Sequence, residues 1–268
     1  MPPYVDTTRA GRHFAGSLRH GFGSSGKVQA VNASLLYALA AAAANLAGGL
    51  VITTHSRGGR TTQRMLIAFG AGFMIAVTLL AMLPHTLGEG VTGPITVLVG
   101  YLLVHLTQHV LTPHFHFGEE THHVGRWTGV SALAGLLLHT FFDGVAIASG
   151  FHVGQTLGLV VFLAILLHKI PEGVTVASIM LASGNTRRSA LLGAIALGIA
   201  TVLGVLVTSQ LGALQQHGLA LSAGVTLYVA ASNLVPEVQQ EHSRSSALMV
   251  FLGVAAFSVA WWMLGGDV

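Results

Sequence analysis

The sequence predicts an all-α integral membrane protein, a bundle of eight transmembrane helices with both termini on the extracytoplasmic side. Three observations carry that expectation. Hydrophobic residues make up 52% of the 268 and charged residues only 8%, where a soluble domain holds about 25% charged, and mean hydropathy is +0.71. The apolar residues gather into eight runs near the ~20 residues that cross ~30 Å of hydrocarbon. Lysine and arginine alternate between the joints, and positive loops stay in the cytoplasm.

The runs fall at about 29–53, 63–87, 93–112, 127–150, 155–181, 188–212, 218–238 and 246–265. Before them, residues 1–28 read as a mobile polar N-terminal tail holding Arg9, Arg12, Arg19 and Lys27. No apolar h-region begins before about Val28, so the tail is not a cleavable signal peptide. Residues 29–265 read as one transmembrane domain. The joints after helices 1, 3, 5 and 7 carry Arg57, Arg60 and Arg64, then Arg126, then Arg187 and Arg188, then Arg244, whereas those after helices 2, 4 and 6 carry none. The odd-numbered loops are therefore expected in the cytoplasm. The tail, with its four bases, argues the other way, but every loop agrees against it.

Composition also limits the chemistry. There are no cysteines, so disulfides and thiolate ligands are excluded, and a metal would meet imidazole, carboxylate, thioether or carbonyl. The 15 histidines outnumber both the 9 acids and the 12 bases. The bases are scattered singly between apolar runs and make no basic face, which argues against a nucleic-acid partner. Small residues recur in the spans, as at Gly70 and Gly72, Ala194 and Gly198, and Gly154 and Gly158, and let helix backbones approach closely in lipid.

Ionisable residues inside a membrane are costly and mark function. Five lie well inside apolar runs: His139, Asp143, His168, Lys169 and Glu172. Helix 4 reads HTFFDGVAIA from His139 and helix 5 reads HKIPEGVTVA from His168. Both give His, three residues, an acid, Gly, Val, any residue, a β-branched residue and Ala. Residues four apart share a helical face, so each His points with its acid. Two antiparallel helices facing one another at mid-depth would bring together His139, Asp143, His168 and Glu172, a mixed nitrogen and oxygen shell suited to zinc or a neighbouring divalent metal. Pro171 removes a backbone hydrogen bond and displaces the Leu167 carbonyl, a distortion tolerated at membrane depth where backbone lines a cavity. Gly144 and Gly173, each directly after an acid, are expected to keep the wall of the site thin.

At these residues the sequence resembles the ZIP (Zrt/Irt-like) family of divalent metal transporters, in its bacterial form. His139 to Gly144 correspond to that family's helix 4 motif H-x-x-x-[DE]-G, and His168 to Gly173 to its helix 5 motif H-x-x-P-E-G. GAGFMIAVTLLAMLPH, from Gly70 to His85, is similar to the family's glycine-rich helix 2, and YVAASNLVPE, from Tyr228 to Glu237, to its helix 7. The likeness covers about residues 30 to 265. It implies import of a divalent metal into the cytoplasm across the inner (cytoplasmic) membrane, a multi-pass chain that tends to form a homodimer, and metal as substrate with no cofactor. Zinc is the first expectation; cadmium, iron, manganese and cobalt stay open. In some members a second metal is bound partly by Asn after the helix 4 His and by an acid after the helix 5 residue. Here those positions are Thr140 and Lys169. A charged lysine has no lone pair, so its ammonium is expected where the second ion would sit.

Other groups are open to two readings. The expected cytoplasmic loop at about 113–125 holds His114, His116, Glu119, Glu120, His122 and His123; such tracts bind metal or simply stay solvated. His105 and His109 share a face of helix 3 and either extend the route or pack against neighbours. His85, Met74 and Glu237 are further pathway candidates, Met74 by resemblance. No G-x-x-x-x-G-K-[ST] is present, so transport would be gradient-driven. A membrane-embedded zinc hydrolase and a proton or cation channel are the alternatives. The hydrolase would need an open coordination position and a poised water, and the chain lacks H-E-x-x-H.

Overall fold

The computed structural model describes residues 24–54, 60–88, 90–108, 126–236 and 244–265. Among these every regular element is helical, and they form eight rods in chain order. Helix α1 is Ser24–Thr54. Helix α2 runs over 60–87, as Arg60–Ala76, a π turn Val77–Met82 and Leu83–Leu87. Helix α3 is Thr92–Leu106, α4 is Arg126–Val153, α5 is Gln155–Ala182 and α6 is Arg187–Gln210. Helix α7 is Gly212–Tyr228 continued by the π turn Val229–Leu234, and α8 is Arg244–Met263. Ser24 to Val28, read from the sequence as tail, are the first turn and a half of α1.

Among the described residues six stretches are long and apolar enough to cross a membrane: Asn32–Thr54, Met65–Leu87, Leu133–Val153, Gln155–Leu181, Arg187–Gln210 and Arg244–Met263. Thr92–Leu106 is apolar but shorter; at 1.5 Å per residue it spans roughly 22 Å. The α-helical part of α7 is interrupted by its π turn.

The two π turns have a common cause. Pro84 and Pro236 each stand second after the turn, and a proline ring clashes with the carbonyl four residues back. Widening the preceding turn absorbs the clash. The bonds that mark it run from the Leu83 amide to the Thr78 carbonyl and from the Val235 amide to the Ala230 carbonyl.

The packing comes in matched pairs. Helices α4 and α5 lie side by side at the centre. Helix α1 packs on α5 as α6 packs on α4, and α8 packs on α2 as α3 packs on α7. Glycines make each of these crossings. A Cβ at Gly173 would collide with the Asn45 carbonyl and one at Gly48 with the Ile170 carbonyl, while Gly144 faces the Thr201 carbonyl and Gly204 that of Phe141. Gly72 and Gly253 lock α2 to α8 in the same manner, and Gly100 and Gly224 lock α3 to α7. The sequence reading of Gly144 and Gly173 as a thin wall is thus replaced by a sharper role, since they are where the outer helices touch the central pair. Backbone contact of this kind replaces the hydrophobic drive that lipid cannot supply between helices.

The outer rods present apolar side chains outward, among them Ile95, Leu98 and Leu102 on α3 and Leu248, Phe251 and Trp262 on α8. Exposed apolar surface of this extent suits acyl chains rather than water.

Gly173→Ala is expected to lower the thermal midpoint in detergent, by the equivalent of roughly 1–3 kcal/mol of overpacking. Gly154→Ala, whose Cβ would meet nothing within 4 Å, is the control and should leave the midpoint unchanged.

Candidate metal site

The two motifs sit halfway along α4 and α5, and the pairing of these helices turns their polar faces toward each other. Helix α4 contributes His139, Thr140 and Asp143; α5 contributes His168, Lys169 and Glu172. All six are buried, Lys169 and Thr140 completely.

One atom organises the group. Asp143 Oδ2 lies 3.4 Å from His139 Nε2, 3.3 Å from His168 Nε2 and 2.6 Å from Lys169 Nζ. One ligand atom from each of His139, Asp143 and His168 lies within 4.8 Å of the others, a spacing that could hold a metal ion. The imidazole rings tilt toward one another with centroids 5.6 Å apart.

The second carboxylate is occupied differently. Lys169 donates to Glu172 Oε2 at 2.5 Å, and the Thr140 hydroxyl donates to Glu172 Oε1. Lys169 also approaches the Thr140 hydroxyl at 3.5 Å. Its ammonium therefore bridges the two acids. Each acid and the lysine would be prohibitively expensive alone in a low-dielectric interior, and together they leave one net negative charge for an incoming cation.

The tautomer of His168 is fixed by its own helix. Its Nδ1 donates to the Ala164 carbonyl at 2.9 Å, so in the neutral ring the lone pair is on Nε2, which points at Asp143. A backbone carbonyl behind a ligating imidazole is a common orienting partner in metal sites. His139 has no such anchor among the described residues, where its buried Nδ1 finds no partner.

Pro171 stands inside α5 without ending it. The Leu167 carbonyl, which that proline deprives of its amide, lies toward Gly70 of α2, 3.8 Å from where a Cβ would stand. The carbonyl freed by Pro171 thus faces α2, directly beside His168 in the chain.

Of the other sequence candidates, Met74 is fully buried in the main core on α2. His85 is exposed near the end of α2, and His105 is exposed on α3 with its ring 5.9 Å from that of Tyr228. Neither joins the cluster around Asp143. His109, His114, His116, Glu119, Glu120, His122, His123 and Glu237 lie outside the described residues. One contact escaped the sequence reading: the Thr140 hydroxyl holds Glu172, which its position after His139 could have suggested.

The model of the ZIP zinc transporter family matches residues 116–260, from ahead of α4 into α8. No curated protein matches the chain.

Lys169→Met strips the cation from two buried carboxylates. Loss of one partner from a buried pair costs on the order of 3–5 kcal/mol, so the variant should unfold at a lower temperature than the parent. Added Zn2+ should recover more of the midpoint in the variant than in the parent, because ligand bound only by the folded state stabilises it.

Proposed function

The chain belongs to the ZIP zinc transporter family, and on that footing we propose that it carries a divalent transition metal, zinc first, down its gradient into the cytoplasm. Metal is the substrate of this family, and the chain is a multi-pass membrane protein rather than an enzyme. The observation that carries the finer reading is the convergence of His139, Asp143 and His168 halfway along two packed apolar helices.

In this reading all eight rods cross the bilayer, with both termini outside, and the ion binds His139, Asp143 and His168 with Glu172 beside them. Two imidazoles and a carboxylate form a borderline-soft shell that zinc accepts readily, as do cobalt, iron and cadmium. The fixed carboxylates offset part of the cost of bringing a dication out of water.

Lys169 gives the carrier one ion instead of two. Its ammonium lies between Asp143 and Glu172, where a second metal would have to stand. As the first ion arrives, the ammonium must yield part of Asp143 and hold more firmly to Glu172. Like-charge repulsion then weakens the bound state, which suits a carrier that must release. Protonated imidazoles cannot coordinate, so acid competes with metal. A homodimer in a bacterial inner membrane completes the proposal by family resemblance.

The test is uptake of radioactive zinc by proteoliposomes. Saturable uptake is expected, abolished by His139→Ala together with Glu172→Ala. Absence of flux from a folded protein that still binds zinc would sink the carrier reading. In parallel, metal analysis of the purified chain should find one tightly held ion per protomer, and Lys169→Asp should raise that to two.

A further inference from the structure

Asn45 lies within α1, completely buried, and neither its amide oxygen nor its amide nitrogen has a hydrogen-bonding partner among the described residues. Buried polar groups are nearly always satisfied, and an exception calls for an explanation such as an ion or a water.

Its setting is specific. The Asn45 carbonyl rests against Gly173, the residue after Glu172, and Gly48, one turn on, rests against the carbonyl of Ile170, the residue after Lys169. Asn45 is therefore on the part of α1 that packs beside the Lys169–Glu172 pair. Along the same buried stripe its neighbours Ala38, Ala41 and Gly48 are small and apolar.

The matched half of the molecule supplies a contrast. Thr201 of α6 occupies the corresponding place, its carbonyl against Gly144. Its hydroxyl is satisfied within its own helix by the Leu197 carbonyl at 3.3 Å. Thr53, Thr78 and Thr208 use the same device. A short hydroxyl can return to the carbonyl a turn back; the Asn45 amide does not. Asn45 instead leaves both polar atoms of its amide without a partner among the described residues.

We propose that Asn45 is a further binding group on the metal route: its amide oxygen takes the divalent cation, or a water that the cation still carries, on the α1 side of the Lys169–Glu172 pair. An amide oxygen is a hard, neutral ligand suited to a partly hydrated dication. It adds no charge, so it can receive an ion without trapping it. The amide nitrogen would donate to a water of the same shell. With this residue a third helix joins α4 and α5 in handling the ion.

The inference rests on the transport reading, and the experiment separates the two. Zinc uptake in proteoliposomes, zinc binding by calorimetry and thermal midpoints are measured for the parent, Asn45→Leu and Asn45→Asp. Asn45→Leu removes an amide that has no partner among the described residues and should raise KM about tenfold, the usual scale for losing a supporting group in a metal site, while the thermal midpoint reports separately on any overpacking by the larger side chain. Asn45→Asp should shift the other way, binding zinc more tightly and turning over more slowly. Should Asn45→Leu fail to fold, the aspartate variant decides alone. A parent that carries zinc while the variants match its KM and kcat would overturn the role of Asn45 and leave the transport reading standing. A parent that neither binds nor carries zinc would overturn both.

Discussion

The contact on which the site depends is the ammonium of Lys169 held between Asp143 and Glu172, at 2.6 and 2.5 Å. Without it, two carboxylates would face each other in a region closed to water, and ionising both would be opposed by desolvation and mutual repulsion. With it, each acid has a cationic partner, and the Nε2 atoms of both imidazoles stand 3.3 and 3.4 Å from a single Asp143 oxygen. The same lysine sets the charge balance of the cluster. It is a cation that cannot leave, tied by its stem to α5, and it distributes one positive charge over two acids.

That ionic centre could not form unless α4 and α5 were held at a fixed separation and rotation. The hydrophobic effect does not do this in lipid. The constraint comes from glycines at the four crossings, two of which, Gly144 and Gly173, directly follow the acids of the motifs. A step of one residue along the helix turns the chain by about 100°, so the acid faces the partner motif while the next residue faces the outer helix. One dipeptide therefore serves coordination and packing together. This explains why the repeat in the sequence continues past the acid, and why α1 and α6, which contribute none of the six residues around Asp143, are still needed to build it.

The prolines illustrate how far local sequence carries. Pro171, Pro84 and Pro236 are all helix breakers by propensity, and the sequence reading expects a distortion at Pro171. In the structure α5 continues through Pro171, while α2 and α7 each widen into a π turn ahead of theirs. What happens to a freed carbonyl depends on the neighbour it meets: that of Leu167 lies toward Gly70, on another helix. His105 makes the same point from the opposite side. Its spacing from His109 is that of a shared face, and the structure sets it against Tyr228, away from the cluster.

The sequence by itself determined the class, the rods and the pairing of the motifs. Hydropathy over ~20 residues reports what lipid accepts, and a four-residue spacing fixes a helical face, and both are local properties of the chain. It also singled out Lys169 as a charged residue inside an apolar helix, and the structure pairs that residue with both acids. Tertiary structure alone decided that Asp143, rather than both acids equally, is the atom on which the imidazoles converge, that Thr140 and Lys169 take up Glu172, and that Asn45 is left with an unspent amide beside them. Each of these is a question of which partner lies within 3 or 4 Å across a helix crossing. That distance is set by where glycines allow backbones to touch, and no spacing along one chain segment encodes it.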